Sequence, residues 1–276
     1  MILFPNCKIN LGLDIVNRRP DGYHDIETVM VPVPWTDILE IVPATDSELS
    51  LSVTGNAMDC PMEKNLVIKA FRAVEAACAI PPVHIFLHKI IPDGAGLGGG
   101  SADAAFTIMA LNKMFRLGMD NDAMAQIAAT IGADCPFFIY NKPQLATGIG
   151  TDFSPINLSL KNLWMVIVKP QVSVPTKEAY ANVTPCRPSK PLAEIIAQTD
   201  ISGWQGKIKN DFEPGIFKNH PQLPLIKQTM LNNGAIYSSM TGSGSAIYAI
   251  FSDEISAHQS RDEFQNLKNV MFKLDI

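Results

Sequence analysis

No apolar run in the 276-residue sequence approaches the ~20 residues needed to cross a bilayer. Its opening, Met1-Ile2-Leu3-Phe4-Pro5, lacks the charged start and long apolar stretch of a signal peptide, so a cytoplasmic protein with no membrane partner is expected. Cysteine is sparse. Cys7, Cys60, Cys78, Cys135 and Cys186 make five, an odd number, scattered and without C-x-x-C spacing. That pattern argues against a disulfide framework or a zinc site and fits reduced thiols. A basic excess is missing too. The net charge of −5 argues against a nucleic-acid partner, whose usual footprint is a basic face. There is no internal repeat and no low-complexity segment. What is present is 47% apolar and 18% charged residues, a globular composition with enough chain for one large domain or two moderate ones.

The richest local signal is Ile90-Ile91-Pro92-Asp93-Gly94-Ala95-Gly96-Leu97-Gly98-Gly99-Gly100-Ser101-Ala102-Asp103, with five glycines in seven residues between a strand pattern and a helix pattern. Glycine accepts positive φ, which lets backbone N–H groups turn toward an anion. The following helix aims its unpaired N–H groups at the same place. The natural anion is a polyphosphate. A Walker loop needs Lys-Ser/Thr after its last glycine, and Gly100 is followed by Ser101 and Ala102. Residues 94–99 fit G-x-G-x-x-G, but the acidic residues at the required distance, Asp120 and Asp122, fall in a helical pattern, so a Rossmann site is disfavoured.

Before this loop, period-two alternation predicts strands over 2–15, 26–33, 37–42, 48–54 and 83–91, the second and third joined around Pro34 and Trp35. Lys8 and Asn10 share one face of the first strand. Arg18 to His24 reads as a turn with Pro20-Asp21-Gly22 as its signature. Val67, Phe71, Val74 and Cys78 predict a helix over 64–78. His84 and His88, ~13 Å apart by strand rise, are too distant to share a metal and read as structural. After the loop, Ala104, Ile108, Leu111 and Phe115 predict a helix with Ser101 as N-cap and Gly118 as stop, and a shorter one runs from about Asp122 to Gly132. Asp134 then sits just past a helix end, before an apolar stretch, and reads as a turn residue on position alone. Texture changes around 148–152, where a domain boundary is expected, giving domains 1–150 and 151–276. Beyond it come a strand over 164–169, a turn into a helix over 172–180, a polar segment over 207–213 and a helix near 223–232. A second glycine loop, Met240-Thr241-Gly242-Ser243-Gly244-Ser245, leads into a strand over 247–251, a helix over 256–269 and a last strand over 270–276.

Three of these segments together resemble the GHMP small-molecule kinases: Pro5-Asn6-Cys7-Lys8-Ile9-Asn10-Leu11, Pro92 through Ala105, and Thr241 through Ser245. Arg19-Pro20-Asp21-Gly22-Tyr23-His24 and Gly132-Ala133-Asp134-Cys135-Pro136-Phe137 resemble the branch that phosphorylates a CDP-linked methylerythritol. Cys7, where alanine is common, and Asp93, where the loop usually has an apolar residue, depart from the pattern. The resemblance implies a mixed α/β (α+β) fold of two domains. The first would be S5-like with a left-handed crossover, the second ferredoxin-like. It implies transfer of the ATP γ-phosphoryl group to an alcohol, with Lys8 and Asp134 catalytic. Pro92, Asp93, Gly94, Ala95, Gly96, Leu97, Gly98, Gly99, Gly100, Ser101 and Ala102 would hold ATP, with Ser101 on Mg²⁺. Asn10, Tyr23, His24, Tyr180, Thr241, Gly242, Ser243 and Gly244 would meet the alcohol substrate, the two tyrosines as walls for cytosine. A monomer or weak homodimer is expected. Rival readings are a mevalonate-, homoserine- or sugar-type kinase, a nucleotide-binding regulator without turnover, and an RNA-binding module, the last in conflict with the acidic balance.

Overall fold

A computed structural model describes residues 1–46, 48–56, 60–181 and 183–276. The chain sorts into two compact units, one of residues 1–8, 32–93 and 98–142, the other of 9–31, 94–97 and 143–276. Neither is a continuous stretch, because the strands β2 (Asn6–Arg18) and β3 (His24–Thr36) each contribute residues to both.

The first unit holds the sheet β1-β4-β6-β5, built from β1 (Ile2–Leu3), β4 (Ile38–Pro43), β5 (Ser50–Gly55) and β6 (Val83–Lys89). Its one parallel pair is β5 with β6, joined through α1 (Leu66–Cys78). Asn65 accepts the Val67 amide and so caps α1, which starts two residues later than the helical pattern alone predicts. Val83, Ile85 and Leu87 of β6, Val67, Phe71 and Val74 of α1, and Ala104, Ile108 and Leu111 of α2 (Gly99–Phe115) are all buried in the apolar interior. Each valine, leucine, isoleucine or phenylalanine among them contributes about 1.5–3 kcal/mol on burial. His84 and His88 turn the other way and hydrogen-bond Ser50 and Thr54 across the sheet, the structural role expected. The helices α3 (Asn121–Ala129) and α4 (Cys135–Tyr140) complete the unit.

Several predicted boundaries move. The strand predicted to break at Pro34 runs on to Thr36, since Pro32 and Pro34 occupy alternate, outward positions while Val31, Val33 and Trp35 point inward. Helix α2 begins at Gly99, not behind a Ser101 cap. Gly98, at φ 71°, makes the turn into it, and Arg116, at φ 53°, ends it before Gly118. The C-terminal arm adopts the order β10-β11-β9-β12, all antiparallel, from β9 (Trp164–Lys169), β10 (Tyr237–Met240), β11 (Ile247–Phe251) and β12 (Lys268–Lys273). Read along the chain this is the βαββαβ order of a ferredoxin-like layer. Its helices are α5 (Thr176–Ala181), α6 (Leu192–Gln198), α7 (Glu213–Asn219), α8 (Gln222–Asn232) and α9 (Glu254–Asp262). Helix α9 stops earlier than its amphipathic pattern implies, and β12 starts at Lys268. Residues 9–18 of β2 and 24–31 of β3 form the third sheet, β2-β3-β7-β8, with β7 (Gln144–Thr147) and β8 (Asp152–Pro155), a hairpin over the segment where texture changes.

Candidate active site

In the first unit, β2 delivers Lys8 and the turn before α4 delivers Asp134, 126 positions later. The Lys8 Nζ lies 3.5 Å from an Asp134 Oδ, with Lys8 buried and Asp134 one-third exposed. The apolar stretch behind Asp134 is the helix α4, so this carboxylate stands at a helix start rather than past a helix end. Pro136 fits that first turn because the missing N–H there has no helical partner to lose. The glycine loop reaches the same place. A Cβ added to Gly98 would meet the Lys8 side chain at 3.2 Å and Phe138 of α4 at 3.1 Å, so only glycine lets the backbone come this close. From there α2 opens with Gly99, Gly100 and Ser101, whose N–H groups have no helical acceptor. Ser101 is half-buried, and the Cys135 thiol next to Asp134 is buried. Burial pushes that thiol up to about 11, so it stays protonated.

A cavity of about 190 Å³ opens beside this helix start, with Asp93, Gly100, Asn65 and Leu66 in its lining. Under it lies a buried ion triad absent from the motif reading. Lys89 pairs with Asp37 and, at 2.7 Å, with Asp103, the fifth residue of α2. Asp37 also accepts the Ile90 and Ile91 amides at the approach to the loop. Burial works against the Lys89 charge, but Asp103 and Asp37 outweigh it and hold its pKa above the ordinary value.

In the second unit, the loop segment 94–97 meets the second glycine loop. Thr241 Oγ1 donates to the Gly96 carbonyl at 3.1 Å, and the Ala246 amide to the Ala95 carbonyl at 3.2 Å. Gly94 and Gly96 both take left-handed backbone, at φ 59° and 73°. Asn10 is buried, gives its side-chain amide to Thr28 at 3.1 Å, and has its own backbone N–H on Thr241 Oγ1 at 3.0 Å. Asn210, in the segment read only as polar, donates to the Met240 and Gly242 carbonyls at 2.8 Å each and so fixes residues 240–242. Glu213 accepts the Met240 amide at 2.8 Å. Ser243 lies 3.4 Å from the Thr176 hydroxyl, and Gly242 and Gly244 are left-handed. The aromatic residues arrange themselves differently from the expected pair of tyrosine walls. His24 stacks on Tyr180 at 4.7 Å and 25°, Phe212 meets the Tyr180 ring edge-on at 4.9 Å, and Tyr23 is exposed on the turn. Burial first and Arg18 second lower the His24 pKa, leaving a neutral ring with one donor and one acceptor.

Gly96 gives the sharpest local prediction. A Cβ there would lie 2.1 Å from the Thr241 carbonyl oxygen on left-handed backbone. Gly96→Ala is expected to cost about 1–3 kcal/mol and to raise KM for ATP at least ~10-fold, measured by urea unfolding and initial rates. Gly100→Ala, whose Cβ would only touch Leu66 at 3.5 Å, serves as the tolerated control.

Known proteins match this chain along its length. Residues 65–142 match the family model for the GHMP kinases N-terminal domain, and 192–269 that for the GHMP kinases C-terminal domain. A 4-diphosphocytidyl-2-C-methyl-D-erythritol kinase from Parabacteroides distasonis is 51% identical, covering 91% of this chain and 92% of that one. The enzyme of the same name from Bacteroides fragilis is 48% identical over 92% and 93%. A crystal structure of 4-(cytidine 5'-diphospho)-2C-methyl-D-erythritol kinase superposes with a TM-score of 0.82 at 30% identity, covering 98% of both chains. With the loop, the Lys8–Asp134 pair and the ferredoxin-like strand order, these likenesses place the chain in the GHMP kinase family.

Proposed function

We propose that the chain transfers the γ-phosphoryl group of ATP to a hydroxyl of 4-diphosphocytidyl-2-C-methyl-D-erythritol, a phosphotransferase reaction with an alcohol acceptor. The observation that carries the reading is the Lys8–Asp134 pair at 3.5 Å, set against the start of α2 by the close approach of Gly98. Phosphoryl transfer needs positioning and charge neutralisation more than covalent help. Asp134 accepts the proton of the attacking hydroxyl. Lys8 offsets the charge that develops on that oxygen and on the transferred group. Residues 92–102 hold the ATP phosphates through backbone amides, and the cavity lined by Asn65 and Leu66 takes the adenine end. Thr241, Gly242, Ser243 and Gly244 meet the substrate phosphates, and Asn10 the erythritol end.

Magnesium is bound in such reactions chiefly by phosphate oxygens, with only one or two protein ligands. Among the described residues no cluster of three acidic, histidine or cysteine side chains forms a closed metal cage. The Ser101 hydroxyl in the first turn of α2 fits that sparse donor set, and the ion would supply charge neutralisation there. His24 reads the cytosine edge, and a base between Tyr180 and Tyr23 requires the His24 ring to leave the Tyr180 face on which it stacks. The five free cysteines, two of them buried, support a reducing cytoplasm, and we expect a monomer or weak homodimer. In sequence, a division into 1–150 and 151–276 keeps each family match whole.

The test is ATP turnover with the cytidine substrate, mevalonate and homoserine side by side. The expected kcat/KM favours the cytidine substrate by at least ~10²-fold. His24→Ala should raise KM for that substrate about 10–100-fold with kcat little changed, the pattern of lost uniform binding. Comparable rates on the other alcohols would sink the assignment.

A further inference from the structure

A second cavity has lining residues distinct from those of the one beside α2. It has a volume of about 670 Å³ and lies wholly within the second unit, against the Gly12 and Asp14 side of β2. Leu13 and Ile15, on the alternate side, pack with Phe212 and Tyr180. The cavity therefore sits across the strand from the His24–Tyr180 ring stack, and none of its lining residues is assigned to the reaction. A volume of this size is in the range of about 300–1,000 Å³ that holds a small molecule.

Its walls have three kinds of surface. Arg187, Lys190, Lys207 and Lys209 supply four cations. Lys190 has Glu194 at 3.7 Å, but among the described residues Arg187, Lys207 and Lys209 have no carboxylate within ion-pair distance. Leu192, Ile195 and Ile208 make an apolar patch, and Leu192 and Ile208 approach so closely that a Cβ on Gly12 would meet them at 2.9 Å. Asp14 and Asp211 lie on the floor. Asp211 is spent on structure, accepting the Ile15 amide at 2.8 Å, while its backbone N–H bonds the Leu13 carbonyl at 2.9 Å. Burial first, then Asp211 and Glu27, push the Asp14 carboxyl up to about 7, with Lys209 opposing. At a pKa of about 7 this carboxyl is about half protonated at neutral pH, so it repels an anion less than an ordinary carboxylate does.

We propose that this cavity binds a small phosphate or diphosphate ester at a second site, separate from ATP and the acceptor alcohol. Its phosphate oxygens lie on Arg187, Lys207 and Lys209, and its short hydrocarbon part lies on the half-buried Ile195, which the buried Leu192 and Ile208 adjoin. Arg187 and Lys207, which no described carboxylate pairs, together with Lys209, which Asp14 and Asp211 attract, mark a place for an anion, and the guanidinium fork suits phosphate. The adjoining apolar patch separates an ester from inorganic phosphate.

Calorimetric titration of n-pentyl diphosphate tests this, with a non-hydrolysable ATP analogue present in saturating amount to occupy the nucleotide loop. Inorganic pyrophosphate is the second probe. The pentyl ester should bind, and the double variant Arg187→Glu/Lys207→Glu should weaken it by about 30-fold or more while KM for ATP and for the alcohol stays within ~2-fold. Ile195→Asp should weaken the ester but not pyrophosphate, and pyrophosphate should bind the unaltered protein about 10-fold less tightly than the ester. Absence of binding up to about 1 mM, equal affinity in the charge-reversed variant, or equal affinity for both probes would each overturn the proposal.

Discussion

Asp134→Asn lowers kcat by about 10³-fold and leaves KM for ATP and the alcohol nearly unchanged. The substitution keeps side-chain volume and hydrogen-bonding reach but removes the group that takes the proton. The carboxylate is one-third exposed at the start of α4, so no buried network collapses when its charge goes. The stability of the variant should therefore stay within about 1 kcal/mol of the parent, as expected for a single partly exposed ion pair. Lys8 is the other half of the device. It is buried, and its Nζ is 3.5 Å from Asp134. Lys8→Ala should also cost ~10²–10⁴-fold in kcat. Because the two groups act on the same proton and the same oxygen, the double variant should be little slower than the worse single one. Single-turnover rates with ATP and the cytidine substrate decide the matter. Asp134→Asn retaining more than about a tenth of the parent rate would remove the base from the mechanism.

Residue patterns revealed the strands and helices of this chain wherever periodicity was clean, as in β6 and α1. They failed where a local feature has two physical readings. A proline ordinarily breaks a strand, yet Pro32 and Pro34 fall on the outward positions of β3, and the inward alternation of Val31, Val33 and Trp35 keeps the strand whole. Cys135 to Tyr140 is apolar on every side, so no period marks it as helix; burial of both faces makes that possible. The site was legible in parts. The loop over 92–102 announces an anion through its glycines alone. The meeting of Lys8 with Asp134 does not, because nothing local links positions 126 residues apart, and only likeness to a family joined them. Asn210 and Lys89 escaped for a different reason. Their work is to hold backbone carbonyls and carboxylates beneath the loops, and a lone polar residue in a polar or alternating segment carries no mark of that.

Lys89→Met is expected to destabilise the fold by about 3–5 kcal/mol, because it leaves two buried acids, Asp37 and Asp103, without their shared cation. Asp103→Asn should behave in the opposite sense at high pH. Burial raises the Asp103 pKa, Lys89 opposes, and Asp37 adds to the rise, giving about 7 against an ordinary 3.8. The folded state therefore holds this proton more tightly than the unfolded chain does. Its contribution to stability is complete below the unfolded value and is lost as pH climbs from about 4 toward 7, at up to about 1.4 kcal/mol per pH unit. Asparagine keeps an acceptor for Lys89 and has no proton to lose. The difference in unfolding free energy between parent and Asp103→Asn should then move in favour of the variant by on the order of 2–4 kcal/mol between pH 4 and 8. Urea unfolding at several pH values measures it, and a flat difference would mean that the triad carries its charge without strain. Since Asp37 also holds the Ile90 and Ile91 amides, Lys89→Met should loosen the approach to the glycine loop and weaken ATP binding before it unfolds the chain. Asp103→Asn should leave that approach intact.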